Sequence, residues 1–373
     1  MSNRVRLLIV FILPLFSALK GFGNYIPTNT SLKGFGDYES LAAEEIQEEI
    51  VPIDPNLPNL DDDAQDFVLE TKQLCFEEFP NAFNPSIIRW QNRLILVFRT
   101  YHPKTKATDQ IAICHLNDEF DPIDKPQLIK FKSADPYCLF KRQDPRLIAV
   151  GERLYLAYNN VINDEVRRMV IAELLTDGQN YYVDHSECFV RFDGANPARS
   201  EKNWVPFEYM GELHLAYSLV PHRILQPIFG TNSCASVANS LSGIKWNWGV
   251  LRGGTTALRE GNEYLSFFHS CKSMSTQHSK GKCIPHYFMG AYTFSAEPPF
   301  AITRISPRPI IGKNFYTGKA HKTWKPVCVV FPGGFISEEM HIWVLYGRQD
   351  HEIWVAKLDK EALFNSLVPV SAK

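Results

Sequence analysis

The segment Asn92-Arg-Leu-Ile-Leu-Val-Phe-Arg99 opens with a polar turn, continues as an alternating apolar run and ends on a polar side chain. Four later segments repeat this pattern, namely Glu152-Arg-Leu-Tyr-Leu-Ala-Tyr-Asn159, Gly211-Glu-Leu-His-Leu-Ala-Tyr-Ser218, Asn262-Glu-Tyr-Leu-Ser-Phe-Phe-His269 and Glu339-Met-His-Ile-Trp-Val-Leu-Tyr346. Their starts lie between 51 and 77 residues apart, which is the spacing of blades in a β-propeller and too long for one turn of a solenoid. The sequence therefore predicts five repeated sheets.

Each repeat is followed by a second apolar run, and turn residues separate the two. A sheet of three or four short strands cannot bury both of its faces alone, so the repeats must pack on one another. The one helical period after residue 72 is a short stretch from Lys360 to Leu367. The prediction is an all-β fold, a five-bladed β-propeller over residues 72–368. A β-sandwich would also contain many strands, but it would not explain the spaced repeats.

Charge divides the chain into three parts. Residues 1–33 hold four basic and no acidic side chains, and residues 34–71 hold twelve acidic side chains and no Lys or Arg. The remainder carries 35 basic and 29 acidic residues, a mild excess that suits a small anionic ligand. It contains no basic run with interleaved aromatic residues, so nucleic acid is not an expected partner.

The N-terminus is typical of an export signal. Arg4 and Arg6 precede the apolar run from Leu7 to Leu19, which is too short for a comfortable transmembrane helix. We expect residues 1–23 to be a signal peptide, with an uncleaved membrane anchor through residues 7–19 or a mis-assigned start as alternatives. Residues 24–71, acidic and proline-containing, are expected to be a disordered linker. The predicted location is outside the cytoplasm: periplasmic, secreted or membrane-anchored.

Eight cysteines show no framework of disulfides. Cys271 and Cys283 flank a polar loop and have three histidines nearby, but their spacing matches no usual zinc pattern. A loop disulfide, a metal site and two unrelated thiols all stay open here. The favoured prediction is no metal.

Several polar residues stand at the ends of the predicted inner strands. If the repeats surround an axis, their last residues Arg99, Asn159, Ser218 and His269 fall near one another. Asp144 precedes Pro145, which favours extended backbone and projects the carboxylate from the start of the second repeat. An Asp-Pro pair is also an ordinary turn opener.

A group of potential cations surrounds the third repeat. Lys202 precedes it, and His222 and Arg223 follow it. Together with Arg99 they are expected to bind phosphate or another anion, and Arg146 to hold the Asp144 carboxylate or the anion. The alternative is that these side chains are merely solvated. Small residues that include Gly254 and Thr255 supply free amides beside a ligand.

The ordered set of motifs resembles glycoside hydrolase family 130, the β-mannoside phosphorylases and hydrolases, with relatives among β-1,2-mannosyltransferases. The resemblance covers roughly residues 80–365 and rests on Asp144-Pro-Arg146, Lys202-Asn-Trp204, Pro206-Phe207, His222-Arg223, Arg252-Gly-Gly-Thr255, Tyr264-Leu-Ser-Phe-Phe-His269, Tyr287-Phe-Met-Gly-Ala-Tyr292, Pro307-Arg-Pro309, Val330-Phe-Pro-Gly-Gly334 and Tyr346-Gly-Arg-Gln-Asp350.

This resemblance implies a five-bladed propeller that cleaves or forms β-mannosidic bonds with inversion. Asp144 would be the general acid, and inorganic phosphate would be a possible co-substrate with no other cofactor. The implied substrate is an oligosaccharide or glycan. The implied binding residues are Arg99, Arg146, Asn159, Lys202, Asn203, His222, Arg223, Gly254, Thr255, His269 and Asp350.

Two features leave alternatives open. The family commonly has an acidic residue before the catalytic Asp, and this chain has Gln143. The export signal and this replacement favour a second hypothesis, an exported non-catalytic propeller that binds glycans. A hydrolase would need a carboxylate base, for which Asp350 and Glu201 are the candidates.

Overall fold

The computed structural model describes residues 54–101, 109–132, 141–162, 166–321, 323 and 325–371. The predicted signal segment and residues 24–53 of the predicted linker lie outside the described residues. The described chain is almost entirely β-structure, with one 3₁₀-helix (Leu60–Asp63) and one α-helix, α1 (Lys360–Ser366).

The strands follow in chain order. The first twelve are β1 (Val68–Leu74), β2 (Phe83–Trp90), β3 (Arg93–Tyr101), β4 (Asp109–Leu116), β5 (Gln127–Leu128), β6 (Lys130–Phe131), β7 (Arg142–Val150), β8 (Arg153–Val161), β9 (Arg167–Glu173), β10 (Leu175–Thr176), β11 (Tyr181–Val183) and β12 (Ser186–Cys188). The others are β13 (Val205–Tyr209), β14 (Glu212–Leu219), β15 (His222–Ile228), β16 (Ser233–Ser240), β17 (Arg252–Gly253), β18 (Leu258–Glu260), β19 (Glu263–Met274), β20 (Ile284–Ser295), β21 (Ile302–Ile305), β22 (Val330–Ser337), β23 (His341–Arg348), β24 (Glu352–Asp359) and β25 (Val368–Pro369).

These strands form five large sheets and one small one within the described residues. Sheet 1 has the order β2-β3-β4-β5, sheet 2 β7-β8-β9-β12, sheet 3 β13-β14-β15-β16, sheet 4 β17-β19-β20-β21-β25 with β18 beside β19, and sheet 5 β22-β23-β24-β1. The small sheet joins β10, β11 and β6. The five sequence repeats are β3, β8, β14, β19 and β23, the second strand of each large sheet. The predicted all-β fold is therefore confirmed.

Alternate residues of each repeat enter different hydrophobic cores. In β3, Leu94 and Leu96 pack with sheet 5, whereas Ile95 and Val97 pack with sheet 2. Further cores lie between sheets 2 and 3, between sheets 3 and 4, and between sheets 4 and 5. Each large sheet thus buries both faces against two neighbours, which explains why its second strand is apolar on both sides.

The first strands of the sheets approach one another very closely. A Cβ atom on Gly333 of β22 would lie 1.9 Å from the carbonyl oxygen of Pro85 in β2, and one on Gly253 of β17 would lie 2.2 Å from that of Asn203. Only glycine fits at such contacts. The Ser86 hydroxyl accepts a hydrogen bond of 3.0 Å from the backbone N–H of Leu147. Polar side chains at the starts of these strands are consequently brought together.

The folded body begins earlier than the predicted boundary at residue 72. Strand β1 pairs with β24, so sheet 5 contains strands from both ends of the described chain. Leu60 is 1% exposed and packs in the core between sheets 4 and 5. The acidic composition of residues 54–71 gave no indication that Leu60 is buried. The prediction of a disordered linker is wrong for residues 54–71.

The C-terminal helix confirms the short helical period. Its N-cap is Asp359, whose Oδ1 accepts a hydrogen bond of 2.8 Å from the Ala362 N–H, and Leu363 is buried. Helix α1 is too short to span a membrane, and no described helix meets the length and apolarity needed for that.

Candidate functional site

Asp144 lies in a β-bulge near the start of β7. The pairing with β8 shifts between Gln143 and Arg146, and Asp144 has φ 53° instead of the extended backbone expected before proline. Aspartate tolerates this left-handed conformation better than most residues. The bulge turns the Asp144 carboxylate into the space between sheets 1 and 2.

Three side chains hold the Asp144 carboxylate. Asn84 Nδ2 donates to its Oδ1 at 2.8 Å, and Asn159 Nδ2 donates to its Oδ2 at 3.0 Å. Arg99 Nη1 donates to Oδ1 at 3.2 Å. The carboxylate is therefore positioned by residues from β2, β3 and β8.

The Asp144 carboxyl is ionised in this environment. Burial alone would raise its pKa, but the Arg99 charge and the hydrogen bond from Asn84 outweigh burial and lower the pKa below its ordinary value. The charges of Lys202 and Arg146 act in the same direction. The site thus presents a fixed anion to any ligand that enters it.

Arg99 bridges two buried carboxylates. Its Nε donates to Asp109 Oδ1 at 2.9 Å, and its Nη2 lies 2.8 Å from the same oxygen. Burial opposes the guanidinium charge, yet Asp109 and Asp144 together raise the pKa of Arg99. Gln143 Nε2 donates to Asp109 Oδ2 at 2.6 Å.

Arg146 points into the protein and not towards a ligand. It is 1% exposed and donates from Nη1 to the backbone oxygen of Asp144 at 3.2 Å and from Nη2 to Asn203 Oδ1 at 3.3 Å. Its Nε donates to the Gly254 carbonyl. Burial lowers the pKa of Arg146 to about 10. The structure therefore places Arg146 behind Asp144 with each of its three nitrogens donating to the protein, and its role in holding an anion stays a prediction.

Lys202 is a solvent-exposed cation near Asp144. Its side chain is exposed, and within the described part of the chain it donates no hydrogen bond. The surrounding protein nevertheless removes enough water to lower the pKa of Lys202, although Asp144 opposes the shift. The charges of Arg167 and Arg252 add to the lowering, which places two further cations near this ammonium.

His269 and Thr255 lie deeper beneath these cations. His269 pairs with Arg252 across β17 and β19 and lies between the rings of Tyr287 and Phe331, with centroids 6.0 and 4.6 Å away. Burial, aided by the charge of Arg252, moves the pKa of His269 far below its ordinary value, so its ring is neutral. Thr255 Oγ1 accepts the Phe267 N–H at 3.0 Å. Thr255 therefore fastens sheet 4 together.

Asp350 lies at the tip of the hairpin between β23 and β24. The base of this hairpin is closed by Arg348, whose Nε and Nη2 donate to the Glu352 carboxylate at 2.6 and 2.7 Å. The charge of Asp350 acts on Arg99 and on Tyr287. Asp350 therefore faces the same space as the Asp144 cluster.

His222 and Arg223 do not join this cluster. His222 is fully buried, with Nδ1 2.7 Å from the Phe300 carbonyl oxygen and its ring 5.0 Å from that of Phe294. Burial lowers the pKa of His222 to about 4, so it carries no charge near neutral pH. Arg223 donates to the backbone oxygen and to the carboxylate of Asp193. The structure therefore does not bring His222 and Arg223 together with Asp144 and Lys202, as the anion-binding prediction required.

Glu201 is also enclosed, and burial raises its pKa. The Trp204 Nε1 donates to its Oε2 at 3.3 Å, and the Tyr217 hydroxyl donates to its Oε1 at 3.4 Å. Cys271 and Cys283 are free thiols, so the loop disulfide is wrong. Among the described residues no three His, Cys, Asp or Glu side chains are grouped to hold a metal ion.

Sequence reasoning missed Asn84, Asp109, Arg167 and Arg252 as members of the site. A signal for Asn84 was present, because Asn84 precedes the first repeat by eight residues, as Asp144 and Asn203 precede theirs. Asn84 and Asp144 are also both followed by proline, and all three have positive φ. Asp109 carried no such signal, since its role depends on packing between sheets.

Comparison with solved structures finds the same fold in carbohydrate-active enzymes. The β-1,2-mannobiose phosphorylase of Listeria innocua, solved with β-1,2-mannobiose, has 14% identity and TM-score 0.53, covering 79% of this chain and 94% of that one. The mannose phosphorylase MPT-4 of Leishmania mexicana, solved with phosphate ion, has 11% identity and TM-score 0.55, covering 84% and 94%.

A third neighbour comes from work on the GH130 family of mannoside phosphorylases, which contains hydrolases that target β-1,2-mannosidic linkages in Candida mannan. It has 12% identity and TM-score 0.53, covering 79% of this chain and 87% of that one. No protein-family model matches the chain, and no curated protein sequence matches it. The chain has the fold of the family 130 mannoside phosphorylases and hydrolases.

Proposed function

We propose that this protein is a carbohydrate-active enzyme that cleaves β-mannosidic bonds with inversion, with Asp144 as general acid and inorganic phosphate as nucleophile. The observation that carries the proposal is the buried Asp144 carboxylate, fixed by three donors beside the open ammonium of Lys202. The solved neighbours that act on mannosides and bind phosphate support it.

We also propose that the five large sheets are the blades of a closed five-bladed propeller. Five hydrophobic cores join successive sheets, and one of them joins sheet 5 to sheet 1. The close contact of Gly333 with Pro85 lies at that same junction. In such an arrangement the starts of the first strands meet at the axis, where a sugar would bind.

The chemistry of an inverting enzyme requires an acid on one face of the sugar and a nucleophile on the other. In phosphorolysis a phosphate oxygen forms the new bond to the anomeric carbon while the bond to the glycosidic oxygen breaks. The leaving oxygen takes a proton from Asp144, relayed through a sugar hydroxyl. Lys202, Arg252 and Arg167 supply the positive charge that replaces a second carboxylate.

The same cations explain how Asp144 can become an acid. In the free protein the charge of Arg99, the hydrogen bond from Asn84 and the charge of Lys202 keep the pKa of Asp144 low and its carboxyl ionised. A phosphate dianion beside Lys202 would cancel part of that positive charge and raise the pKa of Asp144. Phosphate binding would therefore favour the protonated form that catalysis needs.

The direct test is incubation with β-linked manno-oligosaccharides in the presence and absence of phosphate. The proposal predicts mannose 1-phosphate, formed only when phosphate is present. Free mannose without phosphate would instead indicate a hydrolase, for which the half-buried Asp350 is the candidate base that faces the site. Product from a mannose nucleotide donor alone would indicate a transferase.

A second candidate is a non-catalytic glycan-binding protein. The specific observation in its favour is the ionised Asp144, because a carboxylate with fixed geometry also suits sugar hydroxyls. In that case calorimetry would detect glycan binding while no donor yields product, and Asp144→Asn would weaken the binding by removing the charge that holds the sugar hydroxyls.

We further propose that the chain is exported through its N-terminal signal, with Arg4, Arg6 and the Leu7–Leu19 run as the motivation. Sequencing the N-terminus of the mature protein tests this. A new terminus near residue 23 supports cleavage, and an intact Met1 on protein recovered from the cytoplasm contradicts export.

A further inference from the structure

Asp109 is a buried carboxylate that is connected to Asp144 through Arg99, which binds both. It begins β4 directly opposite Tyr101 at the end of β3, and it is 5% exposed. A buried carboxylate is expensive unless it is paired and hydrogen-bonded. Asp109 meets that requirement with Arg99 on one oxygen and Gln143 on the other.

The contacts of Asp109 fix how the Arg99 guanidinium is turned. Arg99 offers Nε and Nη2 to Asp109 Oδ1, at 2.9 and 2.8 Å. Because the guanidinium is planar, this arrangement leaves Nη1 to point at Asp144, which it reaches at 3.2 Å. Without an oxygen acceptor at position 109, the hydrogen bond to Asp144 and the Phe83 ring, 4.8 Å from Cζ, would hold Arg99, and the guanidinium could turn on that ring away from the carboxylate.

Gln143 completes the arrangement. Its amide nitrogen donates to Asp109, and its Oε1 accepts a bond of 3.4 Å from Arg167 Nε. A glutamate at position 143 would place a second carboxylate against Asp109. The residue that departs from the family pattern therefore fits a chain in which Asp109 already supplies the negative charge.

Charge is shared along the same contacts. Asp144 faces Arg99 from β3, Arg146 from β7 and Lys202 from the segment before β13. The negative charges of Asp109 and Asp350 act on Arg99. The negative charge of Asp109 offsets part of the Arg99 charge, so Asp144 experiences less positive potential than it would from an unshared guanidinium.

We propose that Asp109, held by Gln143, is a positioning residue that orients Arg99 on Asp144 and limits the charge that Arg99 exerts there. This inference rests on the proposed role of Asp144 as general acid. The claim about the orientation of Arg99 does not depend on enzymatic activity and can be tested without it.

The first test separates charge from structure by relocating the carboxylate. Asp109→Asn removes the charge, and the double variant Asp109→Asn/Gln143→Glu returns it on the neighbouring side chain, with the hydrogen bond between the two positions reversed. In Asp109→Asn the amide oxygen can still accept from Arg99, so this variant keeps Arg99 beside Asp144. With manno-oligosaccharide and phosphate it should lower kcat/KM through the charge alone, about tenfold at neutral pH if the pKa of Asp144 falls by about one. The alkaline limb of its kcat profile should move to lower pH, because Asp144 would hold its proton less tightly.

The double variant should recover most of the rate and the wild-type pH limb. Asp193→Asn is the matched control, because Asp193 also pairs with an arginine but lies outside the cluster. A wild-type pH limb in Asp109→Asn, or a double variant as impaired as the single one, would overturn the proposal.

The second test needs no activity. A crystal structure of Asp109→Ala should show Arg99 Nη1 moved out of hydrogen-bonding range of Asp144, and the double variant should keep the contact. An unmoved Arg99 in Asp109→Ala overturns the positioning role. If the wild type shows no turnover while Arg99 moves as expected, the proposed function fails and the positioning role survives. If Asp109→Ala does not fold, Asp109→Ser, whose hydroxyl is too short to hold Arg99 in the same position, replaces it with the same two readings.

Discussion

Lys202 and His222 lie at the same end of sheet 3 and have opposite surroundings. Lys202 precedes β13, the first strand, and its ammonium is open beside Asp144. His222 begins β15, the third strand, and is enclosed by Phe294, Tyr292 and the Phe300 carbonyl. Both had been expected to bind the same anion.

The difference comes from the spacing of strands. Strands β13 and β15 run in the same direction, so their starts share one edge of the sheet. They are nevertheless separated by β14, which places them about 10 Å apart. A motif can therefore give the correct edge for a residue and still leave it outside the site. In sheet 3, the side chain that precedes the first strand lies beside Asp144, and the one that begins the third strand does not.

The largest expected effect is on turnover and comes from Asp144, the carboxylate beside the exposed Lys202. Asp144→Asn should keep the fold and lose about 10²- to 10⁴-fold in turnover, since general acid catalysis contributes that much. Rates with manno-oligosaccharide and phosphate, beside a thermal unfolding curve, measure it. Undiminished turnover in Asp144→Asn would remove this residue from the mechanism, and Asp193→Asn serves as the unaffected control.

The next effect is on the free energy of unfolding and contrasts the buried cation Arg146 with the exposed cation Lys202. Arg146→Met should lower the free energy of unfolding by about 3–5 kcal/mol, because it strips donors from the buried Gly254 carbonyl and Asn203 amide. Lys202→Met should change it by less than about 1 kcal/mol, because an open lysine contributes little to stability. Urea unfolding of both variants checks this, and similar values would erase the distinction.

The third effect concerns the neutral ring of His222. Its pKa is about 4 in the folded protein and about 6.5 in the unfolded chain, so the unfolded state binds more protons between these values. Stability should therefore fall as pH is lowered from about 6.5 to about 4, with up to about 3 kcal/mol due to His222. In urea unfolding at pH 7 and pH 4.5, His222→Gln should lose less stability than wild type.

Lys202→Ala should keep the wild-type loss of stability over this range. Equal pH dependence in wild type and His222→Gln would show that His222 is not the enclosed neutral residue described here. His269 is shifted in the same direction, so some acid sensitivity should persist in the variant.

The sequence was sufficient for the parts of the fold that repeat locally. Alternation within Asn92–Arg99 and its four counterparts identified the second strand of every large sheet, and the Lys360–Leu367 period identified α1. Asp144 was singled out by the proline that follows it, and its role as general acid was implied by the resemblance to family 130. These features depend on neighbouring residues along the chain.

The remaining features depend on contacts between distant segments. Asp109 and Gln143 are 34 residues apart and meet only because sheets 1 and 2 pack together. Leu60 lies directly before Asp61, Asp62 and Asp63 in an acidic stretch, and its burial could not be foreseen from composition. The depth of His222 follows from the aromatic rings of sheet 4, which its own motif does not contain.

The most direct test of the central claim measures phosphate binding by wild type, Lys202→Ala and His222→Gln. The readout is the melting temperature of each protein at pH 7 with and without phosphate. A ligand at a hundred times its dissociation constant stabilises the folded state by about 2.7 kcal/mol, which is readily measured. We predict that phosphate raises the melting temperature of wild type and of His222→Gln and has no effect on Lys202→Ala. Stabilisation that persists in Lys202→Ala and disappears in His222→Gln would contradict the account.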